Sequence, residues 1–154
     1  MSATAFTVDF IDITALNKRI SALADIDTNT LLAGIGAEVT DQTYQRIRRG
    51  KTAPDGSAWP EWSDDYAKTR GSQHSLLVGK EGSNSLYASI VWELQSDGEV
   101  WVGSDKKYAA AQNEGYPENN LPARQFLGLS DDDISDVQAM LDDFIDNHIN
   151  EAFA

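Results

Sequence analysis

The chain has 154 residues, no cysteine, and 25 acids against 12 bases, for a net charge of −13. The missing cysteine excludes a disulfide framework, a Cys-ligated zinc site and thiol catalysis. The charge disfavours autonomous binding to bare nucleic acid or to an anionic membrane, because the leading electrostatic term is repulsive. At 41% hydrophobic and 24% charged residues the composition is that of an ordinary globular chain. A single domain over residues 1–154 is expected. No apolar run approaches the ~18 residues of a membrane span. Met1-Ser2-Ala3-Thr4 lacks the basic start of a signal peptide.

In chain order, Phe6, Val8 and Phe10 alternate with Thr7 and Asp9, which predicts a half-buried strand. Asp12 or Thr14 then caps a helix whose apolar positions are Ile13, Leu16, Ile20 and Leu23. After a break at residues 25–29, Thr28 or Asn29 caps a second helix that buries Leu32, Ile35, Val39 and Ile47. Gly34 and Gly36 each weaken this helix by ~1 kcal/mol relative to alanine, and would permit close approach of another backbone. They lack the third glycine and the preceding strand of a dinucleotide fingerprint.

Pro54-Asp55-Gly56 is a turn, with proline presetting φ and glycine accepting a positive φ. Ser63-Asp64-Asp65 starts a short helix through Tyr66. Gly71 to Ser85 holds three glycines and four serines, so a mobile loop is expected at about 70–85. Ile90, Trp92 and Leu94 alternate with Val91, Glu93 and Gln95. Asp97-Gly98 then turns the chain into Val100-Trp101-Val102, a hairpin. A short helix or turn is expected from Tyr108 to Gln112. Ser130 before Asp131-Asp132-Asp133 resembles a capping box, and Ile134, Val137, Leu141, Phe144, Ile145, His148 and Ile149 trace one face of a last helix. These elements predict an α+β fold: a small antiparallel sheet with a central hairpin, packed by two N-terminal helices and a C-terminal helix.

Catalytic constellations are missing. His74 and His148 are the two histidines, and neither has a ligand-spaced partner, so a loop residue and a helix-face residue are expected. Asp142-Asp143 and Asp131-Asp132-Asp133 read as solvated helix faces rather than a glycosidase pair, because nothing predicts a cleft that would raise one carboxyl pKa. There is no Gly-x-Ser-x-Gly elbow, and Gly79-Lys80 lacks the upstream glycine of a phosphate loop. No catalytic, metal-binding or cofactor-binding residue is therefore expected.

Charge is distributed unevenly. Residues 44–80 hold 7 bases and 4 acids, whereas residues 130–154 hold 8 acids and neither lysine nor arginine. Arg46-Ile47-Arg48-Arg49-Gly50-Lys51 followed by Trp59 and Trp62 superficially resembles a nucleic-acid patch. The expected reading is instead a helix C-terminus carrying cations that suit its dipole, and sequence-specific nucleic-acid binding is not expected. Asp132/Asp136 and Asp142/Asp146 are like-charge pairs at i, i+4. Such a helix is either a soluble outer face or one that meets a basic surface. Arg46 and Arg49 facing Asp142, Asp143 and Asp146 of a neighbour would give a head-to-tail contact of the kind that closes a ring.

Four blocks carry a resemblance. Arg49-Gly50-Lys51-Thr52-Ala53-Pro54-Asp55-Gly56-Ser57-Ala58-Trp59 resembles the basic residue, Pro-Asp-Gly and Trp signature of the phage virion morphogenesis family, which includes tail completion proteins of contractile-tailed phages related to Mu and P2. Ser85-Leu86-Tyr87-Ala88-Ser89-Ile90, Val102-Gly103-Ser104-Asp105-Lys106-Lys107-Tyr108-Ala109 and Leu121-Pro122-Ala123-Arg124-Gln125-Phe126-Leu127-Gly128-Leu129-Ser130 are similar to its later blocks, in the same order. Gln112-Asn113-Glu114-Gly115 departs from the family's frequent His-Gln-Phe-Gly, and Gln125 stands where proline is frequent.

The resemblance implies a non-enzymatic structural protein of the virion, in tail completion or head–tail joining at the neck. It implies a homo-oligomeric ring of about six subunits, other phage neck or tail proteins as partners, no cofactor and no membrane. Assembly would take place in the host cytoplasm. Trp59 belongs to the signature and is a candidate contact residue. Phe126 and Leu127 would anchor either a neighbour or the core, and Arg124 would pair with a neighbour's carboxylate or stand as an exposed loop cation. An acidic ring lumen would let DNA pass without sticking. The rival expectations are an acidic protein-binding module, a DNA-mimic-like inhibitor of a basic protein, and a hydrolase with an unrecognised carboxylate pair.

Overall fold

The computed structural model describes residues 4–6, 27–72, 74–79, 85–96 and 98–153. Three strands among them form an antiparallel sheet in the order β1-β3-β2: β1 Thr4–Phe6, β2 Ile90–Leu94 and β3 Val100–Ser104. In the β2–β3 hairpin Trp92 faces Val102 and Leu94 faces Val100, and the Gln95 amide donates to the Glu99 carbonyl at 2.8 Å beside the turn. The alternation seen in the sequence thus sets the register. Gly98 has φ +74, as the predicted turn requires, while Asp97 lies outside the described residues. On the other side of β3, Ala5 of β1 pairs with Gly103. The described part of this strand is Thr4–Phe6, which shares Phe6 with the expected strand. Val8, Phe10 and the expected helix from Ile13 to Leu23 lie outside the described residues.

Helix α1 spans Thr28–Gln45. Its N-cap is Asp27, one residue before the predicted Thr28 and two before Asn29. The Asp27 carboxylate accepts from the Asn29 and Thr30 amides at 3.1 and 3.3 Å, satisfying two donors that the first turn leaves without helical partners. Leu32, Ile35 and Val39 are buried as their spacing predicts, joined by Leu31. Gly36 lets α1 lie against the sheet: a Cβ there would sit 2.7 Å from Val100 Cγ2 and 2.9 Å from Trp92 Cγ. The helix ends in a π-helical turn, Arg46–Gly50, closed by the Lys51 amide donating to the Arg46 carbonyl at 2.9 Å, with Lys51 left-handed at φ +56. The wider turn still leaves Ile47 fully buried.

Short elements follow. Gly56 N donates to Ala53 O at 2.9 Å and Ala53 N to Ser57 O at 2.8 Å, making the predicted Pro-Asp-Gly turn a small hairpin in which Asp55 accepts from the Ser57 amide. The hydroxyl of Ser57 also donates to Asp55, and these bonds hold that carboxyl below its usual range. Helix α2 is Asp64–Ala67 and α3 is Ala109–Glu114, both where short helices are expected. Within the loop expected at 70–85, Leu76 and Val78 are buried around a tight turn that closes between Ser75 and Val78. Gln73 and residues 80–84 lie outside the described residues.

Helix α4, Asp131–Phe153, begins with the predicted capping box. Asp133 N donates to Ser130 Oγ at 3.1 Å, and Ser130 N donates back to Asp133 Oδ2 at 2.9 Å. Val137 and Leu141 are buried against α1, with Phe144, Ile145 and His148 half-buried. Ile134 and Ile149, expected on the same face, are each 40% exposed. The fold is α+β, with α1 on one face of the sheet and α4 packed on α1.

Candidate interaction site

Two of the recognised sequence blocks, residues 49–59 and 121–130, meet in space. Residues 46–62 and 113–133 form a clasp made of side chains that donate to the opposite backbone. The buried Arg46 guanidinium donates to the carbonyls of Phe126 at 2.8 Å and Gly128 at 3.0 Å, and to the Asp133 carboxylate. Trp59 Nε1 donates to Gln125 O at 2.9 Å. Arg124 Nε donates to Pro60 O at 2.8 Å and its terminal nitrogen to Glu61 O at 3.1 Å. The Asn113 side-chain oxygen accepts from both Phe126 N and Leu127 N, at 3.0 and 3.1 Å. Buried backbone polar groups need partners, and these side chains supply them where no sheet or helix does. Gly128 at φ +130 completes the fit, since a Cβ there would lie 2.8 Å from Pro54 Cγ.

Lys51 ties the same region to the next loop. Its ammonium donates to Ile47 O at 2.5 Å and to Leu76 O at 2.6 Å. Burial, with a smaller push from Arg48, lowers its pKa from 10.5 to about 8. Arg48 lies over the Tyr87 ring at 4.9 Å and near Tyr44 at 5.9 Å. The basic run read from the sequence is therefore largely engaged inside the chain.

Beside the clasp opens a cleft of about 630 Å³. Trp62 and Tyr66 meet edge to face at 5.9 Å on one wall, and the Arg70 guanidinium lies 4.3 Å over the Tyr66 ring. Tyr108, Leu121 and Arg124 line it as well. His74 Nδ1 and Ser85 Oγ are buried at its edge without a hydrogen bond. His74 is thus half-buried rather than an exposed loop residue.

Of the nine residues expected at an interface, five are placed inside the chain. Arg46 is 8% exposed and paired with Asp133, which is on the acidic helix but in the same copy. Arg124 is 4% exposed and holds Pro60 and Glu61, not a neighbour's carboxylate; desolvation pushes its pKa down. Trp59, Phe126 and Leu127 are core residues. Burial leaves all five little surface to offer a neighbour; this corrects the expectation for Arg46, Trp59 and Arg124, and for Phe126 and Leu127 it is the core alternative. Arg49, Asp142, Asp143 and Asp146 are exposed. Asn113 escaped the sequence reading, because its two amide partners lie 13 and 14 positions away and no local pattern announces them.

His148 Nδ1 lies 2.9 Å from Phe144 O, and its ring meets that of Phe144 at 4.2 Å with the planes tilted by 41°, a helix-face role. Among the described residues no group of three or more His, Asp or Glu side chains is arranged to hold a metal ion. None of the described helices is long and apolar enough to cross a membrane.

This is an α+β structural module whose polar residues hold its own loops together. The chain belongs to the phage virion morphogenesis family, whose model matches residues 10–146. It is also 24% identical over 132 residues to Mu-like prophage FluMu G protein 1 of Haemophilus influenzae, covering 84% of this chain and 88% of that protein. No solved structure matches the chain significantly. Membership gives the protein a structural or morphogenetic role in the phage particle, and points away from catalysis.

Proposed function

We propose that this chain completes the phage tail or joins it to the head, acting as a homo-oligomeric ring of about six copies that docks on other neck or tail proteins. The observation that carries this reading is the family match over residues 10–146. The clasp supports it, because the signature residues of that family stabilise a scaffold rather than present reactive groups. The exposed Asp142, Asp143 and Asp146 offer a surface for a neighbour. Assembly takes place in the host cytoplasm and the product stays in the virion. Phage particles produced without this protein are expected to accumulate heads and tails that do not join into infectious virions, with infectivity restored by supplying the chain. Normal yields of joined, infectious particles in its absence would overturn the proposal. Light scattering over a concentration series tests the ring.

The same acidic face favours a second reading, a module that occupies a basic protein surface. It predicts tight, salt-sensitive binding to a DNA-binding protein in competition with DNA, and no requirement for self-assembly.

A further inference from the structure

We infer that the cleft beside the clasp receives the C-terminal half of α4 from a second copy of this chain; the inference rests on the ring reading above and names its contact. Arg70 is the exposed cation of the cleft; Arg124 adds its charge from within the wall, where its guanidinium is held by Pro60 O and Glu61 O, and among the described lining residues the one carboxylate is Glu61. In a chain of net charge −13 this is a local excess of positive charge. Its walls add the aromatic surfaces of Trp62, Tyr66 and Tyr108.

The matching surface is on α4. Asp142, Asp146 and Ile149 recur at i, i+4 and i+7, so they share one helix face. All three are exposed, Ile149 by 40%. An apolar side chain beside two carboxylates suits an aromatic cleft edged by guanidinium and imidazole groups. The helix has no cation of its own in its last turn. Asp142 and Asp146 stand toward the negative end of the dipole, where a partner's cations would offset them. Most of the basic run 46–51 is not open to that partner, since Arg46, Arg48 and Lys51 are engaged within the chain, while Arg49 is exposed. The volume of the cleft suits side chains from one helix face. Cleft and helix are different surfaces, so the contact is heterologous and propagates into a ring or filament.

The test uses two variants of the full chain, each missing one surface: Arg70→Glu in the cleft, and Asp142→Asn with Asp146→Asn on the helix, a neutral pair that the new glutamate cannot attract. All three positions are exposed, so folding is expected to survive, and circular dichroism checks it. Each variant alone is expected to sediment as a monomer where the unsubstituted chain forms oligomers. Mixed, they should give 1:1 dimers and nothing larger, because one good cleft and one good helix remain. Weak association is captured by oxidising Asn119→Cys mixed with Asn150→Cys, on a background with no native cysteine. Disulfide-linked heterodimers should form at least tenfold faster than with a Glu93→Cys control. Variants that assemble like the unsubstituted chain would overturn this contact and leave the ring standing. A chain that stays monomeric and crosslinks no faster than the control would overturn it as well. Failure of the tail-completion reading shows separately, as joined particles made without the chain.

Discussion

Asp133 Oδ2 accepts from the amide of Ser130 and from the guanidinium of Arg46, so one carboxylate both starts α4 and fastens that start to the end of α1. Arg46 and Asp133 are 87 positions apart. Arg46 reaches the carbonyls of Phe126 and Gly128 with its other terminal nitrogen, so a single buried side chain joins the helix, the loop and the cap. Breaking such a pair leaves an uncompensated charge. Arg46→Ala is therefore expected to lower unfolding free energy by ~3–5 kcal/mol. Arg46→Lys should recover little of the loss, because an ammonium lacks the planar fork. Urea unfolding of the single variants and of the Arg46→Ala, Asp133→Ala double decides it. A loss under ~1 kcal/mol would match an exposed pair instead.

Two glycines of α1 should respond in opposite directions. A Cβ at Gly36 collides with Val100 and Trp92, whereas at Gly34 it would meet Met140 Cε at 3.4 Å, an ordinary contact. Overpacking costs ~1–3 kcal/mol, and the gain in helix propensity returns ~1 kcal/mol. Gly36→Ala is expected to destabilise and Gly34→Ala to stabilise by up to ~1 kcal/mol. Thermal melts of the two variants give the signs directly.

Periodic and local features were legible from the residues alone. The strand alternation at 90–94, the Pro-Asp-Gly turn, the core positions of α1 and the Ser130 capping box each follow from neighbours a few residues apart. The clasp was not legible. Arg46, Trp59 and Arg124 all act on carbonyls at least 63 positions away. A basic side chain looks the same in sequence whether it faces solvent or a buried carbonyl. The Gly71–Ser85 segment was read as mobile from its composition, yet Leu76 and Val78 supply enough apolar surface to seat part of it. The cleft also lay beyond sequence reasoning, because its walls come from four separate stretches of chain.

Lys51 predicts a pH dependence. Its folded pKa of about 8 lies below the ordinary 10.5, so between those values the unfolded chain binds more protons and stability rises with pH. The contribution is complete above 10.5 and is lost as pH falls through about 8. A neutral amine keeps two N–H donors, enough for both Ile47 O and Leu76 O. The difference in unfolding free energy between the unsubstituted chain and Lys51→Met should therefore grow from pH 8 to 10.5. A flat difference would mean that Lys51 titrates like a solvated lysine.

Asn113 is expected to matter more than its place in a short helix suggests. Its oxygen is the acceptor for two consecutive buried amides, and each amide left without a partner costs ~1–3 kcal/mol. Asn113→Ala should lose at least ~2 kcal/mol, the lower end for two such groups. Hydrogen exchange at Phe126 and Leu127 should accelerate with it. Unchanged protection at both amides would show that another acceptor replaces the side chain.

The acids of α4 should separate stability from assembly. Asp142 and Asp146 repel each other at i, i+4, and they sit with Asp143 in the half of the helix whose dipole disfavours carboxylates. Replacing them by asparagine relieves ~0.2–0.5 kcal/mol per repulsive pair in the single chain at low salt. If the same acids meet cations of a neighbouring copy, the substitutions weaken association while they stabilise the monomer. Asp142→Asn with Asp146→Asn is thus expected to melt slightly higher and to sediment lighter than the unsubstituted chain. A variant that melts higher and assembles normally would show that these carboxylates serve solubility alone. Opposite signs in the two measurements would mark them as residues kept for a contact, at a small cost to the fold that carries it.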